Sequence, residues 1–383
     1  MFNREKLNIF KTWWLTIDKK ILFIFFLLIM FSCVFIFSSS ISVANRLNIN
    51  NYHFFKSQIF YSIICIFITI IISFFSEKIA KKNIFLLFIL SLILLIAVHF
   101  VGFQTKGSRR WLRIYGLSIQ PTELIKPSFI LVSAWLLDKF QNTKIRNYLI
   151  INLILYIICL YFIYKQPDIG TLILLSLVFF TQIFLLNIIN LKYCLYLFLF
   201  FSFLSIVSYI SLPHVSNRID SFIVSIQEPE KANYQVKRSI NAYNNSGFLG
   251  KGFMEGEVKN FITDVHTDFI FPAIAEEFGF LFIFFIISIY FYLTIRILLK
   301  AISSDDFFKF LALIGLSLLF LVQTSINICV SLNLLPTKGM TIPFLSYGGS
   351  SLIGTAIIFG FIFVFTKKDL NFISNIEKSV IIE

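Results

Sequence analysis

The sequence predicts an all-α, polytopic integral membrane protein. About ten transmembrane helices are expected, with both termini cytoplasmic and one large extracytoplasmic loop between spans seven and eight. Three observations carry this. Of the 383 residues 58% are hydrophobic and only 14% charged, whereas a soluble domain is typically ~45–50% apolar and ~25% charged. Ten apolar runs approach the ~20 residues a helix needs to cross a bilayer. The one sizeable polar interruption is 212–268. Disordered, collagen-like and small disulfide-scaffold classes fall with the same composition. The net charge of +13 then suits loops beside anionic headgroups, not nucleic acid.

In chain order, residues 1–20 form a cytoplasmic segment in which Trp13 and Trp14, followed by Lys19 and Lys20, suit the membrane interface. Spans are expected at 21–42, 56–75, 84–103, 122–138, 147–164, 169–187, 192–211, 269–298, 308–332 and 344–366, with a cytoplasmic tail at 367–383. The first lacks a small-residue cleavage pattern and reads as a retained signal anchor. Basic residues set the orientation: Lys78, Lys81, Lys82, Lys139, Lys144, Arg146, Lys192, Arg296, Lys300, Lys309, Lys367 and Lys368 all fall on the N-terminal side of the membrane. Outer loops are poor in charge except for 104–113 and 212–268. The first carries Lys106, Arg109, Arg110 and Arg113 against its own topology signal, so an anionic ligand or outer-leaflet headgroups must reward it. The second is too short for an independent core and is expected to fold against the bundle, leaving one domain, 1–383. Cys33, Cys65, Cys159, Cys194 and Cys329 lie in apolar runs without metal-ligand spacing and read as buried thiols.

Four clusters can do chemistry. In Gly107-Ser108-Arg109-Arg110-Trp111, guanidinium groups can grip phosphate oxygens bidentately and the indole can lie on a sugar or acyl chain. Farther on, Gln120-Pro121-Thr122-Glu123 leads to Lys126; Glu123 and Lys126 are one helical turn apart at the membrane edge, suited either to a salt bridge or to substrate. Gln166-Pro167-Asp168-Ile169-Gly170-Thr171 is a turn in which Asp168 can cap the next helix. His266-Thr267-Asp268-Phe269, followed by Glu276-Glu277, offers carboxylates as general base, with helix capping the alternative for Asp268. Pro336-Thr337-Lys338-Gly339 through Ser346-Tyr347-Gly348-Gly349-Ser350-Ser351 implies a partly re-entrant loop followed by close helix packing. P-loop, zinc and serine-nucleophile motifs are absent from the sequence.

Taken in this order, these motifs resemble the SEDS (shape, elongation, division and sporulation) family of polytopic peptidoglycan glycosyltransferases over nearly the whole chain. Trp13-Trp14-Leu15-Thr16-Ile17-Asp18 and Tyr234-Gln235-Val236 resemble its septal branch; Gly250-Lys251-Gly252 also suits the lateral-wall branch. The resemblance implies polymerisation of lipid II into a nascent glycan strand at the outer face of the cytoplasmic (inner) membrane, at the division septum. The acceptor's sugar hydroxyl would displace undecaprenyl diphosphate with inversion. Asp268 matches the family's essential aspartate. Arg109, Arg110, Lys338 and a divalent cation (Mg²⁺ or Mn²⁺) would meet the diphosphate charge, while Trp111, Gln120, Glu123, Lys126, His266, Thr267 and Ser346 would line the substrate site. A class B penicillin-binding protein transpeptidase and other divisome membrane proteins are the implied partners. Two alternatives stand beside this reading: a lateral-wall polymerase, and a lipid II flippase.

Overall fold

Asp18 sets the first boundary. Its carboxylate accepts the N–H groups of Lys20 and Ile21 and so caps α2 (Lys19–Arg46). The computed structural model describes residues 9–105, 108–114, 117–186, 209–210, 213–228, 233–337 and 339–368. Ahead of Asp18, the short helix α1 (Ile9–Thr16) exposes Ile9, Phe10 and Trp14, with the Lys19 ammonium 5.2 Å over the Trp14 ring. That is the amphipathic chemistry of an interfacial segment.

The helices that follow are α3 (His53–Ser73), α4 (Glu77–Val101), α5 (Pro121–Thr143), α6 (Asn147–Lys165), α7 (Ile169–Phe184), α8 (Pro213–Gln227), α9 (Tyr234–Asn244), α10 (Ile270–Ile302), α11 (Phe307–Ser331) and α12 (Gly349–Phe365). Six of them, α2, α3, α4, α6, α10 and α11, are long and apolar enough to cross a membrane. Helices α7 and α12 are apolar but shorter, and α5 is long but carries Glu123, Lys126, Asp138 and Lys139. The chain is a multi-pass helical membrane protein. The expected seventh span, 192–211, lies almost wholly outside the described residues, as do 1–8, 369–383 and Lys338.

Helix α5 is the hub, packing on α4, α6, α7, α11 and α12. Its charged residues need this burial, because lipid cannot satisfy them. Pro127 inside α5 cannot donate to the carbonyl of Glu123 one turn back. Helix α12 fills the gap with Gly354, where a Cβ would stand only 2.8 Å from that carbonyl oxygen. Phenylalanines make the neighbouring core: Phe344 meets Phe25 at 5.5 Å and Phe359 at 4.9 Å, both edge-on.

The all-α expectation fails at one place. The expected basic loop 104–113 and its flanks build a three-stranded antiparallel sheet of β1 (Phe103–Thr105), β2 (Ser108–Ile114) and β3 (Leu117–Ile119), with Phe103 opposite Trp111 and Leu112 opposite Ile119. The physical reason is cross-strand pairing: the Arg113 guanidinium stacks on the Phe103 ring, and buried Leu112 faces Ile119. The ladder bulges at Arg110, since Gln104 opposes Arg109 while Phe103 opposes Trp111. The last helix also starts later than expected, at Gly349 instead of 344, because the segment before it is irregular. Of the cysteines, Cys65 and Cys159 are buried, Cys33 and Cys329 half-buried, and all four are free thiols; Cys194 lies outside the described residues.

Candidate functional site

Asp268 lies two residues before α10, whose N-cap position is Phe269. Its main chain is held twice: its N–H donates to the Asp264 carbonyl at 3.1 Å, and its carbonyl accepts from Asn327 of α11 at 3.0 Å. The same Asn327 amide donates to the carbonyl of Met340, so one α11 side chain staples the Asp268 turn to the loop before α12. That loop comes close because it carries no side chain at Gly339, where a Cβ would be 3.2 Å from Asp268 Oδ2. The carboxylate itself is half-buried.

One arginine lies within its electrostatic reach. Arg218, on α8, is within electrostatic reach of Asp168, Asp268 and Arg110. Desolvation and the like charge of Arg110 pull its guanidinium below the ordinary value, while the two aspartates pull the other way; an arginine so placed stays charged. Arg110 reaches inward from the sheet, with Nε on the Gln166 carbonyl at 2.9 Å and its terminal nitrogen on the Pro167 carbonyl. Asp168 caps α7 through Thr171 N–H and Oγ1, at 3.3 and 2.9 Å. Sheet, turn and α8 thus bring two cations and two carboxylates to one side of the bundle.

The remaining expected residues separate into groups. Arg109 is exposed and Trp111 half-buried. With Arg110 turned inward onto two carbonyls and Arg109 left to solvent, the expected arginine pair is divided at the bulge. Gln120 donates its backbone N–H to Ser350 Oγ at 2.9 Å. Lys126, 1% exposed, bonds Glu123 Oε1 and Gln323 Oε1, each at 2.8 Å. Gln323 in turn holds the Thr341 carbonyl. The salt-bridge alternative is what the geometry displays there. Ser346 accepts from Ile342 N–H at 2.9 Å and closes the loop. His266 is buried between Phe54 and Tyr347, and its carbonyl accepts from Tyr347 N–H. Its Nδ1 has no hydrogen-bond partner among the described residues. Burial lowers its pKa to about 4, with Arg46 adding to the effect and Asp264 opposing it. Thr267 bonds the Asp264 carbonyl.

Glu276 and Glu277 are structural. Glu276, fully buried, accepts the N–H groups of Glu257, Val258 and Lys259 at 2.9, 2.9 and 3.0 Å, with Lys251 at 3.3 Å. Glu277 pairs with buried Lys259 and with Ser38 of α2. Together they fasten the 3₁₀ turn Val258–Phe261, and through it the segment leading to Asp268.

The sequence reading missed Arg218 and Asn327. Asn327 had a signal, since an amide inside an apolar span is rarely idle. Arg218 had little: it is one cation in a long polar loop. No three His, Cys, Asp or Glu side chains converge among the described residues, so the donor set does not fit a protein-built cation cage.

Two kinds of relative match the chain. It is 30% identical over 362 residues to a probable peptidoglycan glycosyltransferase FtsW of Caulobacter vibrioides, covering 93% of this chain and 90% of that one. It is 32% identical over 368 residues to the protein of the same description from Buchnera aphidicola, covering 94% and 91%. Among solved structures, it shares the fold of a chain in a peptidoglycan synthase complex, with TM-score 0.76 and 23% identity over 92% of this chain and 98% of that one. It also shares that of the rod shape determining protein RodA of Thermus thermophilus, with TM-score 0.68 and 22% identity over 92% and 97%. Residues 19–369 match the cell cycle protein family of FtsW, RodA and SpoVE; with most of its length so matched, this chain belongs to that family.

Proposed function

We propose that this protein is a peptidoglycan glycosyltransferase that polymerises lipid II at the outer face of the cytoplasmic membrane, in septal wall synthesis. The observation that carries the reading is the half-buried Asp268 carboxylate within electrostatic reach of Arg218, on a turn stapled by Asn327. The names of the relatives supply the substrate class.

In this mechanism Asp268 accepts the proton of the acceptor sugar's 4-hydroxyl as its oxygen bonds the donor's anomeric carbon. The bond from that carbon to the diphosphate oxygen breaks, inverting the centre, and undecaprenyl diphosphate leaves with the electron pair. Arg218 is the cation placed to meet the charge growing on the diphosphate. Arg110, committed to two carbonyls, holds the Gln166-Pro167-Asp168 turn and adds field. Any divalent cation belongs with the substrate's own phosphates, where magnesium commonly keeps only one or two protein ligands, and no step is routed through it. A flippase would need ionisable groups able to exchange partners near the midplane; Lys126 is instead buried and bonded to Glu123 and Gln323, which favours the enzyme. Because one solved chain of this fold works in a complex that coordinates polymerization and crosslinking, a class B transpeptidase is the partner we assign.

The test is glycan formation by the purified protein from lipid II, with and without such a transpeptidase, using Asp268→Asn as control. Long glycan from the wild type and none from the variant supports the reading. Equal product from both removes Asp268 as base.

A further inference from the structure

The loop between α9 and α10 makes an unusual contact with a membrane-spanning helix. The backbone of 247–252 runs along α10 at a break: Phe280 and Leu281 donate their N–H groups to the carbonyls of Gly247 and Phe248 at 3.1 and 3.3 Å, while Lys251 and Gly252 donate theirs to the carbonyls of Glu276 and Glu277 at 2.9 and 3.0 Å. The break is at Gly279, with φ +81°. Two glycines make the approach possible. A Cβ at Gly279 would lie 2.3 Å from the Phe248 carbonyl oxygen, and one at Gly250 would lie 2.2 Å from that of Glu277. No side chain fits at either.

The depth of this contact can be read from α10. From Ile270 to Glu277 nearly every residue is buried against protein. From Phe280 onward an exposed apolar face appears, including Phe280, Leu281, Phe284, Phe291, Leu299 and Ile302. Phe280 to Ile302 extends about 34 Å at ~1.5 Å per residue, close to the ~30 Å of a bilayer's hydrocarbon. The lipid-facing band therefore begins where the loop crosses the helix. There the loop turns Phe248 and Leu249 outward, 77% and 79% exposed, continuing the band of Phe280 and Leu281.

We propose that the 247–252 strap is a lipid-inserting anchor, its Phe248 and Leu249 side chains seated among acyl chains at the hydrocarbon boundary of the leaflet on the Asp268 side. The strap does more than add apolar area. It grips the backbone of Glu276 and Glu277, whose carboxylates hold 257–259, so leaflet contact sets the height of the segment that ends in Asp268.

Spin labels in nanodiscs of defined phospholipid, without any partner protein, test this. In a background with the five cysteines replaced by alanine, Leu249→Cys, Leu281→Cys and Asn217→Cys are labelled separately, and collisions with oxygen and with a water-soluble nickel chelate are measured. The oxygen-to-nickel ratio at 249 should match that at 281 and exceed that at 217 several-fold. A ratio at 249 equal to that at 217, with 281 still lipid-like, overturns the anchor. Phe248→Cys gives the same reading if Leu249→Cys does not fold.

Discussion

Asp268 and Glu276 are carboxylates two turns apart on one segment, yet they live in different chemistry. Glu276 is fully buried and takes three backbone N–H groups plus a lysine; its charge is consumed in holding a loop. Asp268 is half-buried, its main chain pinned while its carboxylate borders a glycine, within electrostatic reach of Arg218. Fixed donors commit Glu276 to the frame, whereas Asp268, at the rim of a site, is the acid we assign to proton transfer. The lesson is that neighbouring acids in one motif can part into a frame, Glu276, and a proposed reagent, Asp268, and that burial separates the two.

The largest expected effect breaks the comparison on the reagent side. Asp268→Asn should lower polymerisation ~10²–10⁴-fold, with unchanged thermal midpoint and membrane abundance. On the frame side, Glu277→Ala leaves Lys259 buried without its partner and should cost about 3–5 kcal/mol of stability. Thermal unfolding in detergent checks this, and a variant as stable as wild type but inactive would move Glu277 from frame to reagent.

A pH titration sharpens the same boundary. His266 is neutral down to about pH 4, whereas an unfolded histidine protonates near 6.5. Its depressed value means stability is full above ~6.5 and lost as pH falls toward 4, by up to about 3 kcal/mol at ~1.4 kcal/mol per unit. The charged neighbours are Arg46, which adds to the depression, and Asp264, which opposes it. His266→Gln should flatten that part of the unfolding profile measured between pH 7 and 4.5.

The smallest effects distinguish the arginines. Arg218→Lys keeps a charge but loses the planar fork, so kcat should fall about tenfold, the worth of ~1.4 kcal/mol of charge-assisted bonding. Arg109→Lys, on the exposed face of β2, should leave kcat unchanged. If the two variants exchanged these outcomes, the diphosphate would lie on the other side of the sheet.

Much of this was legible in the chain itself. Apolar runs located the described apolar helices to within seven residues at each end, because lipid punishes any unpaired backbone group and leaves helix as the default. Motif order pointed to the family and to Asp268. The sheet was missed although Ser108–Ile114 lies between Gly107 and Gly116 and contains Trp111 and Ile114; its cations made it read as loop. Arg109 and Arg110, adjacent in sequence, looked like one phosphate grip. Only the folded, bulged strand leaves one in solvent and sends the other to the carbonyls of 166 and 167. Hydropathy is a sum over neighbours along the chain, so the sequence alone determines what must be buried in lipid and which residue types are available for chemistry. Which carboxylate is saturated, and that Arg218 joins Asp268 across 50 residues, depends on donors from distant segments meeting in space. Tertiary packing decides that.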